Sequence, residues 1–173
     1  MKKRTIPIVI ISVIIAIAVV ILVLAVISLR KGAGSADYAG ITKETTITEF
    51  QKQFPDSERK GYSCSFRDFD LTRWGCASGD IRAITGQAGF DSSTGVINTI
   101  TLNVYPESVE EGKGNGVFKK IVNYYTNAAG QADSINDIET DYMWMKPDIN
   151  VAISYSTGLI KMRYYYNFSM GEE

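Results

Sequence analysis

Residues 93–105 read STGVINTITLNVY, and their alternation decides the fold class. After a Ser-Thr-Gly turn, Ile100, Leu102 and Val104 fall on one face of a strand and Thr99, Thr101 and Asn103 on the other. That pattern suits an antiparallel sheet with one face buried and the other wet. The opening of the stretch also recurs. Ser93-Thr94-Gly95-Val96-Ile97 returns 63 residues later as Ser156-Thr157-Gly158-Leu159-Ile160, again between strand-like runs.

Working outward, Phe50 and Phe54 lie one helical turn apart before Pro55, with Thr48 as the expected cap. Strands are expected over 62–69 and 81–88. A second helix fits 117–129, where Val117, Ile121, Tyr124, Tyr125 and Ala128 share a face and Gly130 is the stop. Three more strands follow over about 139–145, 149–156 and 159–168, with Lys146-Pro147-Asp148 as the turn between the first two. The helix starts Glu49-Phe50-Gln51-Lys52 and Val117-Phe118-Lys119-Lys120 correspond loosely, at an offset of 68. The expectation is an α+β, two-layer domain of two helices on antiparallel sheet, built as a duplicated α-β-β-β unit. The competing explanation is that two hairpins chose the same turn residues independently, because Ser, Thr and Gly dominate turns.

Ahead of this domain, Ile6–Leu29 contains no charge and is almost wholly Ile, Val, Leu and Ala. As a helix it would extend about 36 Å, enough to cross a hydrocarbon core of about 30 Å. Lys2, Lys3, Arg4 and the α-amine precede it, and only Arg30 and Lys31 follow. The positive-inside rule then keeps the N-terminus cytoplasmic and sends the remainder out of the cell as a single-pass membrane protein. A cleaved signal peptide would want a shorter apolar core, although Gly34-Ser35-Ala36 offers small residues at a cut. The expected plan is a cytoplasmic N-terminus and anchor over 1–31, a flexible linker over 32–45, an extracytoplasmic domain over 46–169 and a tail over 170–173. The Lys-Lys-Arg start points to a bacterial envelope; elsewhere Asn167-Phe168-Ser169 would be a glycosylation sequon.

All 19 acids and 13 of the 18 Lys and Arg residues lie beyond residue 31, a net of −6 for that part. Such a balance disfavours nucleic acid or anionic lipid as the main partner. The chain has no histidine, which removes the commonest general base and the commonest zinc ligand. The two cysteines, Cys64 and Cys76, are expected to form a structural disulfide in an oxidising compartment.

Four stretches resemble chemical motifs but lack their context. Asp68-Phe-Asp70-Leu-Thr72 spells the pattern of aspartyl phosphatases without the apolar strand that should precede it. Ser57-Glu-Arg-Lys60 matches a serine–lysine pair, yet it follows Pro55-Asp56 in an expected helix stop. Gly112-Lys-Gly-Asn-Gly116 precedes a helix without the Gly-Lys-Ser/Thr of a phosphate loop. Asp133, Asp137, Glu139 and Asp141 are dense enough for weak calcium binding but do not follow an EF-hand. No metal or cofactor is expected.

The aromatics carry the remaining signal. Tyr142 and Trp144 share one face of their strand, and Tyr164 and Tyr166 one face of theirs. These four are the candidate binding residues of an open sheet face. Met143 and Met145 occupy the opposite face of the first strand, so whichever pair turns away from the helices is the expected contact. By architecture alone the chain resembles the two-layer modules of small secreted inhibitor and envelope-assembly proteins, which implies no residue role. The expected function is a non-enzymatic, membrane-anchored binding or assembly module contacting a protein or envelope component. The alternative is a small carboxylate-dependent hydrolase acting outside the membrane.

Overall fold

The structure, a computed structural model, describes residues 36–108, 116–138 and 140–166. The Ile6–Leu29 span, most of the 112–116 loop, Glu139 and the tail with its Asn167 sequon lie outside the described residues. Among the described residues, no helix is long and apolar enough to cross a membrane.

Helix α1 runs Ile47–Gln53 and α2 runs Val117–Ala129. The strands are β1 (Glu58–Lys60), β2 (Ser63–Asp68), β3 (Ile81–Phe90), β4 (Ile97–Pro106), β5 (Ser134–Ile135), β6 (Asp141–Met145), β7 (Ile149–Ser156) and β8 (Leu159–Tyr166). They form one antiparallel sheet of eight strands in the order β1-β2-β3-β4-β8-β7-β6-β5. The order is symmetric about the central pair: each half is a helix followed by a four-strand meander, and β4 joins β8 to fuse them. The two Ser-Thr-Gly turns occupy equivalent places, between β3 and β4 and between β7 and β8. Each half therefore has four strands rather than the expected three. The added ones, β1 and β5, are edge strands too short to show a period.

Both helices cover the same face. Phe50 of α1 meets Phe66 of β2 and Phe90 of β3, with ring centroids 5.2 and 5.6 Å apart. On α2, Tyr125 lies 5.7 Å from Trp144, and Phe118 lies 5.9 Å from Tyr142. Helix α1 begins two residues earlier than the Thr48 expectation, with Thr46 as its cap. Thr46 accepts the Glu49 N–H at 3.3 Å, and the Glu49 carboxylate accepts the Thr46 N–H at 2.9 Å. This reciprocal cap places Ile47 and Phe50 on one buried stripe. In β3, Gly86 sits between Phe66 and Leu102 in the register, and a Cβ there would come within 2.4 Å of the Phe66 ring. The missing side chain is what lets that ring lie flat across the sheet.

The expected linker over 32–45 needs correction. Tyr38 and Ile41 are each 1% exposed, and the Tyr38 ring packs among Phe54, Phe66 and Tyr164. The described fold already includes residue 36, and residues 32–35 of the expected linker lie outside the described residues. Gly-, Ser- and Thr-rich composition suggested a linker because the two apolar side chains that anchor the segment are sparse.

The expected disulfide is also corrected. Cys64 and Cys76 are both buried and both free. Cys64 faces Ala88 across the β2–β3 ladder, whereas Cys76 lies near Asp80 and Lys120, beside the opposite end of β3. Ala88 and Ile81 are separated by about 23 Å of strand, and a disulfide needs Cα atoms within about 7 Å.

Candidate binding surface on the uncovered sheet face

Strand alternation sends half of the sheet's side chains away from the helices. The register lines these residues up in three rows running across the strands. The central row is Glu58–Ser65–Gln87–Thr101–Arg163–Ala152–Met143–Ser134. Beside it runs Arg67–Thr85–Asn103–Lys161–Ser154–Asp141. On the other side runs Lys60–Ser63–Gly89–Thr99–Tyr165–Asn150–Met145. The face is thus a polar field of Ser, Thr, Asn and Gln. Cations stand on β2 and β8, and an apolar margin on β6.

The small side chains of Ala152 and Ser154 on β7, between longer ones on β6 and β8, open a concavity of about 290 Å³. Met143 and Asp141 form one wall, Lys161 and Arg163 the other, with Ser134 and Asn136 at the outer end. Asp141 is held in place by Asn136, whose amide donates to its carboxylate at 2.7 Å. The ion pairs of the described residues, Lys43–Asp148, Arg73–Asp68, Arg73–Asp70, Lys120–Asp80 and Lys146–Asp133, all lie off this face. Arg67, Lys161 and Arg163 form none among the described residues.

Three of the four expected contact residues turn inward, and the fourth is half-buried. Trp144 and Tyr164 are 0% exposed, Tyr166 is 3% exposed, and Tyr142 is half-buried against Phe118. The cause for three of them is α2: its apolar stripe carries Phe118, which meets Tyr142, and Tyr125, which meets Trp144 and Tyr164. Trp144 donates its indole N–H to the Gly130 carbonyl at 2.9 Å, and the Tyr125 and Tyr164 hydroxyls lie 2.6 Å apart. Burial pushes both of those phenols well above the ordinary tyrosine range, so they stay protonated. The outward members of the alternation are Met143, Met145 and Tyr165, which are 39%, 54% and 41% exposed. The alternation itself was legible in the sequence. Which face met the helices was not, because both faces of β6 are bulky.

The motif-like stretches resolve into structural roles. Asp68 is the one buried charged residue among those described. Its carboxylate accepts from the Tyr38 hydroxyl, from Arg73 Nε at 2.6 Å and Nη2 at 3.2 Å, and from the Asp70 N–H at 3.0 Å. Burial pushes its pKa up, but the Arg73 and Tyr38 hydrogen bonds outweigh that and hold the group below the ordinary carboxylate range. Asp70 folds back on Thr72, accepting its hydroxyl at 2.8 Å. Lys60 lies in the extended strand β1, not one helical turn from Ser57, so the pair lacks the geometry of a serine–lysine nucleophile. Asp133 accepts the Met145 N–H at 2.7 Å and so caps the edge of β6. Among the described residues no cluster of acids or cysteines is arranged to hold a metal ion.

The chain matches no protein-family model, no curated protein and no solved structure.

Proposed function

We propose that this chain is a membrane-anchored, non-enzymatic binding module whose domain works outside the cytoplasmic membrane. It contacts a protein or envelope component through the uncovered face of its sheet. The observation that carries this reading is the asymmetry of the sheet. One face is closed by two helices, while the other presents a concavity, cations without ion pairs among the described residues, and three half-exposed apolar side chains. Antiparallel sheets tolerate a wet face, but a face of this kind usually meets a partner. The uncharged Ile6–Leu29 stretch and its more basic N-terminal flank support the anchor and its orientation. Symmetry about β4–β8 and the equivalent Ser-Thr-Gly turns support two copies of one helix-plus-four-strand unit.

The test uses the full chain in its native membrane, with a photo-crosslinking residue placed at Met143, at Arg163 and at Asn123. The first two lie on the open face, and Asn123 is exposed on the outer side of α2. Adducts of one size from Met143 and Arg163, and none from Asn123, are expected. Adducts only from Asn123, or none from any position, would overturn the surface assignment. Protease added to intact cells or spheroplasts is expected to remove the domain, and protection would overturn the orientation.

A further inference from the structure

The uncovered face carries an electrostatic bias opposite to that of the domain. Beyond residue 31 the chain is acidic by six charges, yet its open face presents Arg67, Lys161 and Arg163 without ion pairs among the described residues. Elsewhere Lys43, Arg73, Lys120 and Lys146 are paired, while Lys52, Arg59 and Arg82 form no ion pair among the described residues, so what sets the open face apart is that its cations stand side by side on β8. Lys161 and Arg163 are two residues apart on β8 and point the same way, about 7 Å from each other. Across the Ala152 floor stands Met143, two strands away and so about 10 Å from Arg163.

Resting on the proposed role of this face, we infer that the concavity over Ala152 binds an acidic peptide segment of a partner protein. A carboxylate sits between Lys161 and Arg163, and a neighbouring apolar side chain lies against Met143. Charge complementarity selects the anion, because two cations side by side favour a carboxylate that both can reach. Methionine selects a polypeptide. Its unbranched, polarizable side chain adapts to varied apolar groups, whereas a glycan would want a flat aromatic platform, and Tyr165, the aromatic of these outward rows, lies outside the lining of the concavity. An anionic bilayer is disfavoured by the domain's net charge and by Glu58 at the end of the central row, while Asp141, across Ser154 from Lys161, confines the bound carboxylate to the β8 side of the concavity.

The test is fluorescence polarisation with the full chain in uncharged detergent. The probe is a labelled peptide repeating Glu-Leu-Gly, and the controls repeat Lys-Leu-Gly and Glu-Ser-Gly. Binding of the first peptide is expected, weakened about tenfold or more in the double variant K161E/R163E and weakened by salt. M143S is expected to weaken Glu-Leu-Gly while leaving any Glu-Ser-Gly binding unchanged. All three residues are surface-facing, and unchanged melting of the variants confirms intact folding. No binding of Glu-Leu-Gly up to about 1 mM would overturn the inference. Equal binding by K161E/R163E, or equal binding of the lysine or serine peptides, would do the same. Crosslinks from Met143 that persist in K161E/R163E cells would defeat only the acidic-peptide inference. Their absence in the wild-type chain would defeat the surface itself.

Discussion

The hydroxyl of Tyr38 donates to the carboxylate of Asp68, a contact closed across 30 residues of chain. Arg73 completes the arrangement by pairing with the same carboxylate and lying 5.2 Å from the Tyr38 ring centroid. The segment that leads into the domain is thereby locked to the end of β2. Trp74, next in the chain, takes a left-handed backbone with φ of 59°, a costly conformation for a bulky residue. It turns the indole into the core while Arg73 is held under Asp68. The loop after β2 is thus shaped to hold the entering strap, and the Asp-x-Asp-x-Thr spelling belongs to that task.

Breaking this contact should destabilise the domain in graded fashion. Tyr38→Phe removes one buried hydrogen bond and is expected to cost about 1–2 kcal/mol. Asp68→Ala strips the Arg73 guanidinium and the Tyr38 hydroxyl of their shared buried acceptor, leaving Arg73 only its longer pair with Asp70, and should cost about 3 kcal/mol. The pH dependence follows from the direction of the shift. The folded carboxyl binds its proton more weakly than the unfolded one, so its stabilising effect is complete above the unfolded value of about 3.9. It is lost as pH falls from there through the lower folded value. Urea midpoints should show no Asp68-dependent change above about pH 4, and below it, towards about pH 2, should fall more for the native chain than for Asp68→Asn.

Both thiols should resist labelling until the domain unfolds. Cys64 and Cys76 are buried, and burial pushes the Cys76 thiol up to about 11, so little reactive thiolate exists near neutrality. A thiol reagent is expected to count none in the native protein and two in denaturant under non-reducing conditions. A count of none in denaturant would show the cysteines joined and contradict their separation along the length of β3.

Much of this fold was legible because it is written in short-range periods. The β4 alternation, the α2 stripe and the β7–β8 hairpin all lie where residue spacing puts them. Long-range facts were not legible. Tyr38 and Ile41 carry no periodicity, and the burial of Tyr38 depends on a pocket assembled from Phe54, Phe66 and Tyr164. The disulfide expectation failed for the same reason, since sequence spacing does not reveal that the chain between the cysteines travels to the far end of β3. At the candidate site, alternation separated Tyr142 and Trp144 from Met143 and Met145. Only the aromatic partners on α2 determine which pair is inside.

The two Ser-Thr-Gly turns share a place in the topology but not a geometry. Thr157 and Gly158 form a two-residue loop with both φ angles positive, at 48° and 80°, closing the Ser156–Leu159 pair. In the earlier turn only Gly95 is left-handed, and the Asp91 carboxylate gathers the Ser93 and Thr94 N–H groups at 2.9 and 2.8 Å. A β-branched residue is poorly suited to the position of Thr157, where asparagine is favoured. Thr157→Asn should therefore stabilise the protein by about 0.5–1 kcal/mol, read as a raised melting temperature. Thr94→Asn, which would disturb the Asp91 turn, should not.

Trp144 and Met143 are adjacent in sequence and opposite in role, which gives the sharpest separation of stability from binding. Trp144 is fully buried, touches Tyr125 and satisfies its N–H on Gly130. Trp144→Ala removes that packing and the hydrogen bond together, so a loss of about 3–5 kcal/mol is expected. Partner crosslinking through the open face should persist at temperatures where this variant remains folded. Met143 projects from the other side of the same strand, with no core contact to lose. Met143→Ala and Met145→Ala should leave the melting temperature nearly unchanged, because exposed substitutions usually stay within about 0.5 kcal/mol. They should weaken binding at the open face by about 2 kcal/mol, the size of a contact hot spot. Melting curves and crosslinking yields for the same three variants decide the matter. If Trp144→Ala abolishes crosslinking while still folded, and the methionine variants retain it, the contact surface is not the uncovered face of the sheet.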